Sequence, residues 1–148
     1  MLVYFASPFF NEEQVEREER LKKALRATGM NVWSPKENCY LPPSATQSER
    51  DQVYSANIAH IELCDVVFAV TDGKDMGTIW EAGYAAGIGK PIIYYCETLG
   101  TGQFNLMLAQ SGNEVITEFE DLENKIKVYD MFERAVDGFK SEFEGRIE

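Results

Sequence analysis

Histidine occurs once in the 148 residues, at His60, which excludes a site that holds a metal with several imidazoles. Cys39, Cys64 and Cys96 are odd in number, widely spaced and without paired metal-type spacing, so they read as reduced thiols. Basic residues are outnumbered, 14 Lys and Arg against 25 Asp and Glu, and the formal charge of −11 repels phosphate backbones and anionic lipid. Neither nucleic acid nor a membrane surface is therefore an expected partner. No apolar run approaches the ~20 residues needed to cross a bilayer, and the first residues lack the basic flank of a secretion signal, so a cytoplasmic protein is expected. No G-x-G-x-x-G follows the first apolar run, where Ser7-Pro8-Phe9 stands instead, and no metal or organic cofactor is implied. Repeats and low-complexity segments are also missing.

What is present reads as one α/β domain, residues 1–148, within the ~100–200 residues expected of a single folding unit. Leu2 to Ala6 is a short apolar run ending at Ser7-Pro8, as a central strand would. Asn11 caps a helix with Glu12, Glu13 and Glu16 near its first turn, Val15, Leu21, Ala24 and Leu25 facing inward, and Gly29 as its stop. Met30 to Trp33 follows as a second strand. Ser34 to Gln47, with three prolines, reads as a long loop, and Tyr40 and Leu41 either cover a planar ligand or pack on the adjoining helix. Helical spacing resumes over Ser48 to Leu63, with Val53, Ala56, Ile58, Ile61 and Leu63 inward. Val66 to Val70, Ile92 to Cys96 and Val115 to Thr117 complete five strands. A last helical pattern carries Phe119, Leu122, Ile126, Tyr129, Phe132, Ala135, Val136 and Phe139. Strands alternating with helices predict a three-layer doubly wound parallel sheet in flavodoxin-like order 2-1-3-4-5.

The chemistry concentrates between Asp65 and Ile93. A buried strand there enters the loop Thr71-Asp72-Gly73-Lys74-Asp75, at the carboxyl edge where open parallel sheets bind ligands. The helix after it, started by Gly77 and Thr78, is made of small residues, yet Glu81 stands among Trp80, Ala82, Gly83, Ala85 and Ala86. About one turn into the helix, the macrodipole favours its ionised form. An ionised carboxylate in a tight crevice acts as a nucleophile or an electrostatic anchor, unless it only lines a solvated helix edge.

The pattern D-x-G-T-x-x-E-x-G-x-A-A at Asp75 to Ala86, followed by Phe104-Asn105-Leu106-Met107, resembles the nucleoside 2-deoxyribosyltransferase family. The aromatic start of the first strand and the Asn57-to-Asp65 spacing extend the resemblance over nearly the full chain. It implies that Glu81 attacks C1′ of a 2′-deoxynucleoside, that Tyr4 orients Glu81 by a hydrogen bond, and that Asp75 binds the 5′-hydroxyl. Asn105 would reach the same hydroxyl from a neighbouring subunit, so the resemblance implies a homo-oligomer built on dimers and as large as a hexamer. Phe9, Asn57, Asp72, Gly77 and Met107 are the further substrate-binding positions. Deoxynucleosides and free nucleobases are the implied small-molecule partners.

The chain departs from the family in two places. Asn57 stands where several transferases carry an aspartate that grips or protonates the base, and an amide cannot serve as that acid. Protonation of the leaving base then falls to Asp72, to water, or to no protein group. The chain also runs on past Tyr129 to Glu148, so a terminal carboxylate is not expected in the site. Related N-glycosidases that act on deoxynucleoside 5′-monophosphates are disfavoured because Asp75 would repel a 5′-phosphate. A non-catalytic nucleotide sensor is disfavoured because it needs no aligned nucleophile.

Overall fold

The computed structural model describes residues 1–135 and 138–148, Arg134 by its backbone alone. Five short apolar runs form one sheet: β1 (Leu2–Ala6), β2 (Asn31–Trp33), β3 (Val66–Val70), β4 (Ile92–Tyr95) and β5 (Glu114–Ile116). Every pairing is parallel and the order is β2-β1-β3-β4-β5, the doubly wound arrangement expected. β3 is buried along its whole length beside β1, with Tyr4 opposite Val67 and Phe5 opposite Phe68.

Successive side chains of a strand point to opposite faces, and this alternation divides the core in two. Val3, Phe5, Phe68 and Tyr95 face one layer, made of α1 (Glu12–Ala27) and α6 (Leu122–Ala135). Tyr4, Ala6, Val67, Ala69 and Tyr94 face the other, made of α3 (Gln47–Leu63), α4 (Met76–Gly87) and α5 (Leu106–Ser111). Asn11 caps α1 by accepting the Gln14 N–H, and Thr46 and Glu49 form a reciprocal box at the start of α3.

Several details differ from the sequence reading. The long proline loop contains a short helix, α2 (Pro35–Asn38), started by Ser34 with Pro35 at its first position. Ion pairs between Lys22 and Arg26 of α1 and Glu37 of α2 tie that helix down. Inward spacing on α3 is only partly realised: Ile61 is buried, Val53, Ala56 and Ile58 are half-buried, and Leu63 is 69% exposed. α4 begins at Met76 with Asp75 as its cap, one residue before the expected start. In the last helical pattern Leu122, Ile126 and Tyr129 are buried, while Phe132 and Ala135 are exposed. Phe119 belongs to a preceding 3-10 turn (Phe119–Asp121), Phe139 lies beyond the helix, and Val136 is outside the described residues. Residues 139–148 then cross back toward α5, where Phe104 and Ile147 form a parallel bridge. Among the described residues no helix is long and apolar enough to cross a membrane.

Candidate active site

Tyr4 sits in the middle of β1 and points to the α3–α4 side, where its hydroxyl donates to Glu81 Oε1 at 2.7 Å. Glu81 follows Thr78 by three residues and precedes Ala85 by four, so it borders the buried stripe formed by Thr78, Ala82 and Ala85. The small residues of α4 let its backbone lie close to β3 and β1, which brings the carboxylate within reach of the sheet.

Burial dominates the electrostatics of Glu81 and pushes its pKa from 4.5 up to about 7. The Tyr4 hydrogen bond pulls it down and the Asp75 charge pushes it up, each by less. The macrodipole argument therefore loses to desolvation: Glu81 lies in the second turn of α4, beyond the first-turn amides where that field acts. Burial and the Glu81 charge together hold the Tyr4 phenol far above its ordinary pKa, so Tyr4 remains a donor. Its ring is fixed in turn by Trp33 at 5.2 Å, and Trp33 stacks on His60 at 3.9 Å and 9°. His60 Nδ1 lies 2.7 Å from the Ala56 carbonyl, to which it donates. Trp33 and His60 carried no motif in the sequence, since a stack between residues 27 apart leaves no local pattern.

Asp75 is the cap of α4: its Oδ2 accepts from the Thr78 N–H at 2.8 Å and from the Thr78 hydroxyl at 3.0 Å. Gly77 leaves room beside it, since a β-carbon there would stand 3.2 Å from Asp75 Oδ2. Gly73 and Lys74, at φ 79° and 54°, turn the loop tightly into this cap. Asn57 lies on α3 between Tyr54, whose ring packs near Trp80, and buried Ile61, and its Oδ1 is enclosed without a hydrogen-bond partner among the described residues. Phe9 is half-buried and stacks on exposed Phe10 at 5.0 Å.

Asp72 is 2% exposed: its Oδ1 accepts the Thr98 N–H at 2.8 Å and ties the loop after β3 to the loop after β4, while its Oδ2 is enclosed without a hydrogen-bond partner among the described residues. Asn105 caps α5 by accepting from the Met107 and Leu108 N–H groups, and Met107 is 74% exposed. Both line a largely apolar cavity of about 330 Å³ beside Ile79 and Cys96, and that cavity does not include Glu81, Tyr4, Asn57 or Asp75. A terminal carboxylate was not expected in the site, yet Glu148 lines this cavity beside Asn105 and Met107. Among the described residues no cluster of His, Cys, Asp and Glu is arranged to hold a metal ion.

Residues 3–138 match the model of the family described as nucleoside 2-deoxyribosyltransferase. The chain belongs to the nucleoside 2-deoxyribosyltransferase family. Among solved structures it is similar to the 2-deoxyribosyltransferase from the psychrotolerant bacterium Bacillus psychrosaccharolyticus, at 32% identity and a TM-score of 0.76, over 84% of this chain and 91% of that one. A conserved protein from Enterococcus faecalis shares the deoxyribosyltransferase-like fold at 20% identity and a TM-score of 0.75, over 87% and 98% of the two chains. So does a CMP N-glycosidase from Clostridium botulinum, at 24% identity and a TM-score of 0.58, over 87% and 99%. Nothing among curated proteins matches the chain.

Proposed function

We propose that this protein moves 2-deoxyribose between nucleobases in nucleoside salvage, by double displacement at Glu81. The hydrogen bond from Tyr4 to Glu81 carries the reading, because it occupies Oε1, fixes the carboxylate plane and leaves Oε2 as the attacking atom. Oε2 attacks C1′, the C1′–N bond breaks, and the base leaves with the bonding electrons and takes up a proton. A nitrogen of the incoming base then attacks C1′ from the vacated face, its proton is lost, and the C1′–O ester bond breaks to restore the carboxylate. Two inversions give net retention through a transition state with oxocarbenium character, which the Glu81 charge stabilises.

Asp75 keeps its second oxygen free of the cap, which suits it to the 5′-hydroxyl and opposes a 5′-phosphate. Met107, an apolar side chain left 74% exposed beside Asn105, supports a site completed by a neighbouring subunit, in a homo-oligomer of single-domain chains. Mixing deoxyinosine with adenine or cytosine and separating the products by chromatography tests the proposal. New deoxynucleosides with the wild type and none with Glu81→Ala are expected. Binding without turnover by the wild type would point to a sensor, and cleavage confined to deoxyinosine 5′-monophosphate would point to an N-glycosidase.

A further inference from the structure

Asn105 and Met107 project from a corner that cannot hold itself in place. The loop before it carries Gly100, at φ 52°, and Gly102, and α5 has six residues, far fewer than a helix needs for stability on its own. Of α5, only Ala109 is fully buried. The corner is instead bracketed by residues 139–148. The Phe104 N–H donates to the Arg146 carbonyl at 2.8 Å, the Glu148 N–H to the Phe104 carbonyl at 3.0 Å, and the Leu106 N–H to the main-chain oxygen of Glu148 at 3.1 Å. The last of these satisfies an amide that a helix start otherwise leaves unpaired. Asn105 lies between the two bonded residues.

The strap is tied down along its length. Its Ser141 N–H donates to the Asn113 carbonyl at 2.7 Å, the Asn113 side-chain amide donates to the Phe139 carbonyl, and Lys140 Nζ donates to the Gln110 carbonyl at the other end of α5. Phe143 supplies the apolar contact, packing on Phe104 at 5.5 Å, and Tyr94 meets Phe104 edge-on at 6.0 Å. Phe143 also folds over its own segment at Gly145, where a β-carbon would collide with the ring.

We propose that residues 139–148 form a positioning strap for Asn105 and Met107, anchored by Phe143 on Phe104. The proposal rests on the reading of Asn105 as a sugar-binding residue. Asn105 touches substrate in that reading, whereas Phe143 acts only through the corner it holds. Loosening the anchor then weakens binding of the donor sugar while leaving the Glu81–Tyr4 pair intact.

The test compares wild type, Phe143→Ala, Gly145→Ala and the conservative Phe143→Tyr in base exchange from deoxyinosine, alongside amide hydrogen exchange. Phe143→Ala and Gly145→Ala are expected to raise KM for deoxyinosine about tenfold with kcat within about threefold, the pattern of lost ground-state binding. The Phe104 and Leu106 amides should exchange faster while those of Val67 and Phe68 stay protected, and Phe143→Tyr should match the wild type. Faster corner exchange with unchanged KM overturns the proposal, as does corner exchange that does not respond to either variant. A wild type that exchanges no base counts against the transferase reading, whereas an active wild type with unaffected strap variants counts against the strap alone.

Discussion

Glu81 is held between a need for charge and an environment that resists it. With its pKa near 7, the free protein carries comparable amounts of carboxylate and carboxylic acid at neutral pH, and only the former attacks C1′. The value of kcat/KM is therefore expected to rise with pH through a midpoint near 7, which a pH profile of base exchange would measure. Replacing Tyr4 by Phe removes a bond that favours the charged form, so the midpoint should move above 7. Activity at pH 7 should fall about 10- to 100-fold, the range of a lost hydrogen bond to a charged group. The same burial carries a stability cost with a definite sign. Folded Glu81 binds its proton up to about 7 and the unfolded group only up to 4.5, so its contribution is undiminished below 4.5 and stability falls as pH rises between those values. Glu81→Gln, which keeps an oxygen for Tyr4, should raise stability to denaturant at pH 8 by up to about 3 kcal/mol and at pH 4 by little. An equal gain at both pH values would show that desolvated charge is not the cause. The oddity of one carboxylate among small residues was legible in the sequence. Its ionisation was not, because desolvation depends on how closely α4 packs on β1.

At the scale of the element, α4 and α1 solve opposite problems. The α4 cap serves two ends: Asp75 satisfies the Thr78 amide and adds negative charge near Glu81. Asp75→Asn retains an acceptor for the cap but not the charge, so it should leave stability within about 0.5 kcal/mol and lower the Glu81 midpoint. Asp75→Ala should in addition cost about 1 kcal/mol in thermal or denaturant unfolding. In α1 the inward face is partly ionic. Lys22 is 0% exposed and paired with Glu18, Glu19 and Glu37, while Glu18 also meets Lys36. Lys22→Ala strips Glu18 of one of its two cations in the interior and should destabilise by about 3–5 kcal/mol in urea unfolding. The apolar spacing of Leu21 and Leu25 announced α1, but nothing in that spacing marked Lys22 and Glu18 as interior. Their burial follows from α2 folding down on them, through a loop whose proline content suggested no helix. Likewise the inward assignment of Leu63 failed because helical period alone does not tell how much of a helix the sheet beneath it covers.

For the whole molecule, the cavity lined by Asn105 and Met107 also includes Lys74 and Ile79, so which subunit's Glu81 the corner serves is a matter of assembly. If the corner completes a neighbour's site, mixed oligomers of Glu81→Ala and Asn105→Ala chains regain activity, since one partner supplies the carboxylate and the other the amide. Random pairing into dimers should restore about a quarter of the wild-type sites, whereas each variant alone stays weak. Base-exchange rates after mixing and dilution would measure it, and no recovery would place the corner in its own subunit's site.

The sequence by itself determined a parallel sheet of five strands, because five apolar runs alternate with helices, and right-handed, unknotted winding left few orders, among which 2-1-3-4-5 was the simplest. It also singled out Glu81, since a carboxylate among glycine and alanine is chemically conspicuous at any level of description. Only the tertiary structure decided that Tyr4 meets Glu81 with Trp33 and His60 stacked behind it, that Asp72 accepts the Thr98 amide, and that the final segment returns to Phe104. Those outcomes depend on distances between residues remote in the chain, and on what burial does to charge, neither of which a linear pattern records.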